Sequence, residues 1–507
     1  MKPCLFLLLA SAPLMAQFDT AEVLGTVRDN SGAVIARASI TLLNEGTGIQ
    51  NKAVTGDDGN YTFSNVKIGT YTVSAEAAGF SKAVAKGVVA NVNARQRVDL
   101  VLQVGAVTET VEVAAAASVL ETDSSSRSQL INTKGVVELP INGRSYSDLA
   151  LLTTGVVKAP SYAGGREGAF IVNGLRSTYN NYLLDGVDNN AYGTSNQGFA
   201  NQVAQPSPDA VAEFKVITNN YSAEYGRSGG ATIDVAMRSG TNRLHGTVYE
   251  FLRNTDLNAV GYIFGTRAAT FKKPTLQQNQ FGLTVGGPIV KNRVFFFGDY
   301  EGFRNLQRTN AFSSIPTLND RLGILPVAVT NPQTGALYPA NTPIPSNAMT
   351  PFARKVLTEL PVPNASTTRS SNLQVLALNR TYTDKYDAKV DGQINQTMSA
   401  FLRFSQRKLN NYNQPGIDGP SGGGGNGFIR SLNQQATAAY TWTVSPTSIL
   451  EGRIGVSRTD AGKTPPYIGG ASMLEQYGIT GLPTSEITGG LTPQTLSGFT
   501  QLGRQAT

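Results

Sequence analysis

The sequence predicts a mainly β chain built from an N-terminal β-sandwich, a small α+β segment and a partial antiparallel transmembrane β-barrel. Three observations carry this reading. Charged residues make up only 15% of the chain while glycine reaches 53 of 507, and this mix, rich in Ser, Thr and Asn, favours strands and turns over helices. Tight period-2 alternation fills residues 21 to 105, and longer runs with one apolar and one polar face fill the second half. Beyond the first residues there is no run of ~18 apolar residues, so membrane-spanning helices are not expected, whereas strands of about ten residues with one apolar face can still cross a bilayer.

Taken in order, the chain begins MKPCLFLLLASAPLMAQ, with one lysine, an apolar run and small residues before Gln17. Residues 1–16 are therefore expected to be a secretory signal peptide cleaved after Ala16. Cys4 is the sole cysteine, so cleavage leaves a product without thiols, disulfides or cysteine-ligated metal. The 42 basic and 35 acidic residues are spread along the chain without a basic block, and nucleic acid is not an expected partner.

Residues 17–105 carry the short alternations. Val23, Gly25 and Val27 share a face, as do Ala38, Ile40 and Leu42, then Tyr61 and Phe63, then Tyr71, Val73 and Ala75. Turns at DNSG, GDDGN and IG separate them, which describes a small antiparallel sandwich. Residues 106–240 form the second segment. VTETVEVAAAA (107–117) reads as a strand running into a Ser-rich linker. NTKGVVELPINGRSYSDLALL gives a short helix near Lys134 to Leu139, a turn through Pro140 and Asn142-Gly143, and a second helix from about Ser145, whose spacing to Asp148 suits an N-terminal cap. Two β-type runs follow, Phe214 to Ile217 and Ala231 to Ala236.

Residues 241–507 differ in kind. Phe281, Leu283 and Val285 alternate with Gln280, Gly282 and Thr284, and Ala436, Ala438, Tyr440, Trp442 and Val444 alternate with Thr437, Ala439, Thr441 and Thr443. Leu450, Gly452, Ile454 and Val456 alternate with Glu451, Arg453 and Gly455. The polar faces are too wet for a sandwich core, and the pattern is that of an outer-membrane barrel. Short turns are expected at Lys291-Asn292 and at Ser445 to Thr447, and long loops at Arg304 to Asn379 and Leu409 to Arg430. Trp442 and Tyr440 suit an interfacial aromatic girdle.

The stretch FIVNGLRSTYNNYLLDGVDNN (170–190) sits before this series and holds Asp185 and Asp188. As catalytic carboxylates they lack a partner acid, base or metal set, and the spacing lacks the Gly and the distant Glu of a calcium loop. Turn chemistry fits better, since Asp185-Gly186 and Asn173-Gly174 supply residues tolerant of a left-handed backbone. His245 is the only histidine, too few for a multi-His site. No G-x-S-x-G elbow is present, and GPSGGGGNG (419–427) lacks the Lys-Ser/Thr of a phosphate loop. No enzyme activity, cofactor or metal is expected.

GTVRDNSGAVIARASITL and TGDDGNYTFSNVKIGTYTVSAEAAGF resemble the carboxypeptidase regulatory-like domain, a transthyretin-like β-sandwich of the carbohydrate-binding-like fold. LPINGRSYSDLALLTTGV and then FIVNGLRSTYNNYLLDGVDNN resemble successive parts of the plug domain of TonB-dependent outer-membrane receptors, and NNYSAEYGRSGGATIDVAMRSGTNRLHGTVYEFLRN resembles the plug's end and the entry into the barrel. QFGLTVGGPIVKNRVFFFGDYEGFR resembles the first barrel hairpins of the Oar-like subgroup, which joins these three modules in this order. The resemblance implies a receptor in a Gram-negative-type outer membrane, with the sandwich in the periplasm, that takes up an unidentified ligand through a plugged barrel. A TonB-type energy transducer, outer-membrane lipid and an extracellular ligand, a carbohydrate or a peptide, are the implied partners. The alternative is a cell-surface adhesion or carbohydrate-binding protein without transport.

The resemblance also implies a TonB box, a strand ahead of the plug that pairs with the transducer. Glu109, Thr110, Val111, Glu112 and Val113 are the candidate, and an ordinary first strand of the plug or last strand of the sandwich is the competing reading. Asn173, Gly174, Leu184, Asp185 and Gly186 are the structural plug motif. A barrel of this class needs ~22 strands. Only about seven are legible between Leu244 and Val456, so the chain is expected to be an N-terminal portion of a longer product, with a small independent barrel as the alternative.

Overall fold

The computed structural model describes residues 20–105, 110–113, 123–141, 143–159, 169–191, 201–223, 225–226, 228–259, 273–423, 427–445, 448–482 and 489–504. The expected signal peptide and Glu109 lie outside them.

The first unit is a sandwich of β1 (Ala21–Asp29), β2 (Ser39–Asn44), β3 (Gln50–Val54), β4 (Asn60–Val66), β5 (Gly69–Glu76), β6 (Lys82–Ala90), β7 (Arg95–Arg97), β8 (Leu100–Leu102) and β9 (Thr110–Val113). One sheet runs β4-β1-β7 with β8 also on β1, and the other runs β3-β2-β5-β6-β9. The alternation seen in sequence is the burial pattern: Val23, Val27, Ala38, Ile40, Leu42, Val73 and Ala75 are fully buried between the sheets. Gly25 is dictated by a close approach, because a Cβ there would fall 1.9 Å from the Val98 carbonyl oxygen that also accepts the Tyr61 hydroxyl. The sandwich is not wholly antiparallel as expected. The chain crosses between sheets at residues 91–94 and returns along β1 in the same sense, so β7 and β8 pair with β1 in parallel.

The second unit contains β10 (Arg127–Ile131), α1 (Thr133–Glu138), β11 (Val156–Lys158), β12 (Phe170–Val172), β13 (Asn181–Leu184), β14 (Val187–Asp188), β15 (Val211–Asn219) and β16 (Thr232–Met237). Its main sheet runs β10-β15-β16-β13-β14, with β13 parallel to β16. Asn132 caps α1 by accepting the Gly135 N–H. The second expected helix is a 3-10 turn over Tyr146–Leu152, and Ser145 does not cap it, its hydroxyl lying 2.8 Å from that of Ser147. A period of three stacks Tyr146 and Leu149 into the core, where Tyr146 meets Phe214 edge-on at 5.6 Å.

The third unit is one antiparallel wall of β17 (His245–Asn254), β18 (Leu276–Val290), β19 (Val294–Ser313), β22 (Leu373–Asn395), β23 (Met398–Asn413), β24 (Gly427–Ser445) and β25 (Ser448–Thr464), with β20 (Val329–Thr330) and β21 (Leu337–Tyr338) a small hairpin in the loop after β19. These seven wall strands are the number legible in sequence, and they form an open sheet. Burial on this wall is inverted: Gln278, Gln280 and Thr284 on one face are buried, while Leu283 and Val285 on the other face are 46% and 37% exposed. That is the arrangement of a wall with lipid outside and a filled lumen inside.

Two expectations about the wall are corrected. Strands run to 23 residues in β22, not about ten, and the long loops narrow to residues 314–372 and 414–426. At ~3.3 Å per residue, β19 and β22 outrun a hydrocarbon layer of ~30 Å. Their distal parts, such as Arg304 to Arg308, carry polar side chains on both faces, so alternation stops in sequence before pairing stops in space. These two loops and the segment after β25 fold around a shared core of Ile315, Val356, Leu360, Ile417, Met473 and Leu491, helped by α2 (Leu318–Arg321), α3 (Pro351–Glu359) and α4 (Met473–Tyr477).

Candidate functional site

The site is the seat of the second unit against the wall. Its tip is the two-residue turn between β13 and β14, where Leu184 pairs with Val187 and Asp185 and Gly186 take positive φ of 48° and 69°. An Asp-Gly pair is suited to this turn because both positions need a left-handed backbone. The turn delivers the Asp185 carboxylate, fully buried, to the wall. One oxygen accepts the Met237 N–H at 2.9 Å and meets Lys389 Nζ of β22 at 3.0 Å, and the other forms an ion pair with Arg403 Nε of β23 at 3.1 Å. Arg403 is itself held by Gln435 Oε1 at 2.7 Å, Thr437 Oγ1 at 2.9 Å and Ser405 Oγ at 2.9 Å. The Asp185 carbonyl accepts from Arg453 Nη1 of β25 at 3.1 Å, and the Asp188 carbonyl accepts from Gln435 at 3.0 Å. Gly455 of β25 is small because a Cβ there would come 2.5 Å from Val187 Cγ1.

Asp188 does not share this role. Its carboxylate accepts the Asn190 N–H at 2.8 Å and the Asn190 side-chain amide at 2.9 Å, fixing the chain after β14. Asn173 and Gly174, at φ 50° and 81°, turn the chain after β12, and Asn173 Nδ2 approaches Asn219 Oδ1 at 3.3 Å.

A second anchor centres on Arg144, at φ 50°, next to Gly143 in the turn before the 3-10 helix. Its guanidinium pairs with Asp209 and lies 3.8 Å from Glu301 of β19, sandwiched with Tyr249 (4.8 Å) and Phe251 (4.3 Å) of β17. Lys385 of β22 meets Glu301 at 2.8 Å, and the Ser207 hydroxyl donates to Asp299 at 3.0 Å. Burial pushes the Asp209 carboxyl above its usual range against the pull of Arg144. These partners were not singled out in sequence. A signal was present, since Lys385, Asp387, Lys389 and Asp391 occupy four successive inward positions of β22, alternating with Tyr386, Ala388 and Val390.

The sandwich closes the short-turn end. Val92 N–H donates to Glu213 of β15 at 2.6 Å, and Lys215 Nζ donates to the Asn93 carbonyl at 2.9 Å. On the wall side, Lys67 pairs with Asp391 at 2.6 Å and Asn65 donates to Glu451 at 3.2 Å. Asn242 bridges the Thr47 carbonyl at 2.7 Å and Asn292 of the β18–β19 turn at 2.6 Å. Burial at this seam pushes the Glu213 carboxyl up to about 7, opposed by the Val92 hydrogen bond and by Lys215. His245 starts β17, exposed, with Nδ1 2.9 Å from the Arg243 carbonyl oxygen.

Thr110 to Val113, the described part of the candidate box, form β9 at the edge of the sandwich. They run parallel to β6, with Lys82 opposite Thr110 and Ala85 opposite Val113. Among the described residues no group of three or more His, Cys, Asp or Glu side chains could hold a metal.

Three family models match in sequence: a carboxypeptidase regulatory-like domain over residues 22–103, a TonB-dependent receptor plug domain over 112–233 and an outer membrane beta barrel domain over 236–507. The TonB-dependent transporter Oar of Myxococcus xanthus is 27% identical over 326 residues, which covers 61% of this chain and 29% of that protein. The chain thus spans under a third of the relative's length. Among solved structures, it aligns with the siderophore receptor PirA of Acinetobacter baumannii at 15% identity and TM-score 0.42, over 74% of this chain and 44% of that one. It aligns with the outer membrane transporter YddB of Escherichia coli at 12% identity and TM-score 0.41, over 65% and 38%.

Proposed function

This chain belongs to the TonB-dependent receptors of the Oar type, which places it in the outer membrane with its N-terminal domain on the periplasmic side, and from that premise we propose that it takes up an extracellular ligand through its plugged barrel. The observation that carries the reading is the seat itself. A plug that filled the lumen permanently could pack through apolar contacts, whereas this one is held by ion pairs through Asp185 and Arg144. Such contacts are directional and can be exchanged for water once the plug is displaced.

In this reading the long-loop end meets the ligand, and the transducer pulls from the periplasm on the segment between sandwich and plug. β9 supplies an extended strand at a sheet edge, the form in which a partner strand is recruited through main-chain hydrogen bonds. The ligand undergoes no chemistry, and the energy comes from the inner membrane through the transducer.

Deletion of residues 107–115 in the full-length protein tests this. Ligand binding at the cell surface is expected to persist while energised uptake stops. Uptake at the wild-type rate would overturn the reading and leave a surface-binding protein.

A further inference from the structure

We propose that the sandwich is a second gate, seated beneath the plug across the periplasmic mouth, which leaves its seat as one body when an extended strand of the transducer adds to the outer edge of β9. The gate rests on the transport reading above and goes beyond it by assigning a moving part outside the plug.

The seat uses one end of the sandwich. β2 and β6 both run antiparallel to β5, which brings the β2–β3 turn, the β4–β5 turn and the crossing at residues 91–94 together. Each of the three makes part of the seam. In the β2–β3 turn the Gly46 carbonyl accepts the Asn242 N–H at 3.0 Å, next to the Thr47 carbonyl that accepts the Asn242 side chain. Lys67 and Asn65 reach Asp391 of β22 and Glu451 of β25, and Val92 and Asn93 meet Glu213 and Lys215 of the plug. Four strand spacings separate β19 from β25 in the order of the wall, roughly 20 Å. The sandwich therefore spans the mouth instead of hanging from one strand.

These seam contacts are polar. Among the described residues, the hydrophobic core of the sandwich runs from Ala21 to Leu102 and takes in no side chain of the plug or the wall, and the plug core takes in none of the sandwich. A unit with its own core can undock without unfolding, and water replaces its hydrogen bonds at small net cost. A permanent base would share an apolar core with what it supports.

Force applied to β9 reaches the sandwich before the plug. β9 ends its sheet, so its outer edge pairs with no strand among the described residues, and a partner strand can add there through main-chain hydrogen bonds. Its first residue lies opposite Lys82, at the end of β6 away from the seam. Beyond β9 the chain returns to the sandwich, where the Arg97 guanidinium of β7 holds the two oxygens of Asp123 at 3.0 Å each, ahead of β10, the first plug strand. A pull on β9 is thus borne by the sandwich first, and the plug follows.

Two disulfide pairs in the full-length protein, in its own cells, test this. A Cβ on Gly46 would stand 3.9 Å from Thr241 Cβ across the sandwich seam, and a Cβ on Gly455 would stand 3.8 Å from Val187 Cβ across the plug seat. Both fall in the range of about 3.5–4.5 Å that a disulfide needs. Cys4 lies in the expected signal peptide, so this part of the processed chain adds no thiol of its own. One variant carries Gly46→Cys with Thr241→Cys, and the other carries Val187→Cys with Gly455→Cys. During a fixed exposure to oxidant, each is expected to form less disulfide in energised cells than in cells treated with an uncoupler, and deletion of residues 107–115 is expected to abolish the difference. A drop at the plug pair with none at the sandwich pair would mean that the plug leaves while the sandwich stays, which overturns the gate and keeps the transport reading. No drop at either pair overturns both. A drop at the sandwich pair that survives the deletion would contradict opening through β9, and a sandwich pair that stays reduced in uncoupled cells would contradict the seat itself.

Discussion

Asp185 is a turn residue and a buried counter-charge at once, and the two roles can be separated by substitution. Asp185→Asn keeps a side chain that tolerates the left-handed turn but leaves Lys389 and Arg403 without their anion. Removing one member of a buried ion pair costs about 3–5 kcal/mol. The plug is therefore expected to lose protection first, seen as faster amide exchange in β13 and β16 than in the wall. A double-mutant cycle with Lys389→Met is expected to be non-additive by about 1 kcal/mol or more, because the second change removes the cation that the first strands. Gly455→Ala is expected to loosen the same seat by about 1–3 kcal/mol through overlap with Val187, and Val187→Ala should restore it. None of these wall partners could be read from the 170–190 stretch. It contains the aspartate but says nothing about which distant strand will stand opposite it.

At the scale of the element, the wall strands follow one rule with few departures: apolar side chains face out and polar ones face the plug, while Phe295 and Phe297 of β19 are turned inward and buried. Leu283→Arg on the lipid face of β18 is therefore expected to cost about 2–4 kcal/mol on unfolding from bilayers. Thr284→Ser, one residue on and facing inward, should cost under about 1 kcal/mol. A similar cost for both would mean that the face assignment is wrong. This rule was legible in advance, because a period of two is local and survives without knowledge of partners. The ends of the strands were not legible. Beyond the bilayer, pairing is sustained by the ladder and by the loop core around Ile315 and Met473, and neither leaves a mark on alternation. The 3-10 turn at Tyr146 was mistaken for an ordinary helix for a related reason: Ser145 and Asp148 have the spacing of a cap, but packing of Tyr146 on Phe214 decides the winding.

At the scale of the whole molecule, the sandwich meets both plug and wall, so displacement of the plug must disturb this seam. Its strength should depend on pH through Glu213. Burial raises that carboxyl from its usual 4.5 to about 7, so the docked form holds a proton that the undocked form releases. The stabilisation is complete below about 4.5 and is lost as pH rises through about 7. Spin labels on the sandwich and on the β18–β19 turn are expected to report a single short distance at pH 5.5 and a broader distribution at pH 8.5. Glu213→Gln, which cannot ionise, should keep the short distance at both values. A wild-type distribution that narrows with rising pH would contradict the assigned sign.

The sequence by itself determined the strand-rich class, the two faces of the sandwich strands, the lipid and lumen faces of the wall, and the turns at Asn173-Gly174 and Asp185-Gly186. All of these follow from interactions between residues close in the chain or from a repeat of two. Only the tertiary structure decided that Asp185 meets Lys389 and Arg403, that Arg144 reaches Asp209 and Glu301, that β9 lies along β6, and that the sandwich closes the periplasmic end. Those contacts join residues up to some two hundred positions apart or more, and a buried charge chooses its partner by proximity after packing. The physical reason is the cost of leaving an ion unpaired away from water, which acts only once folding has brought the ions together.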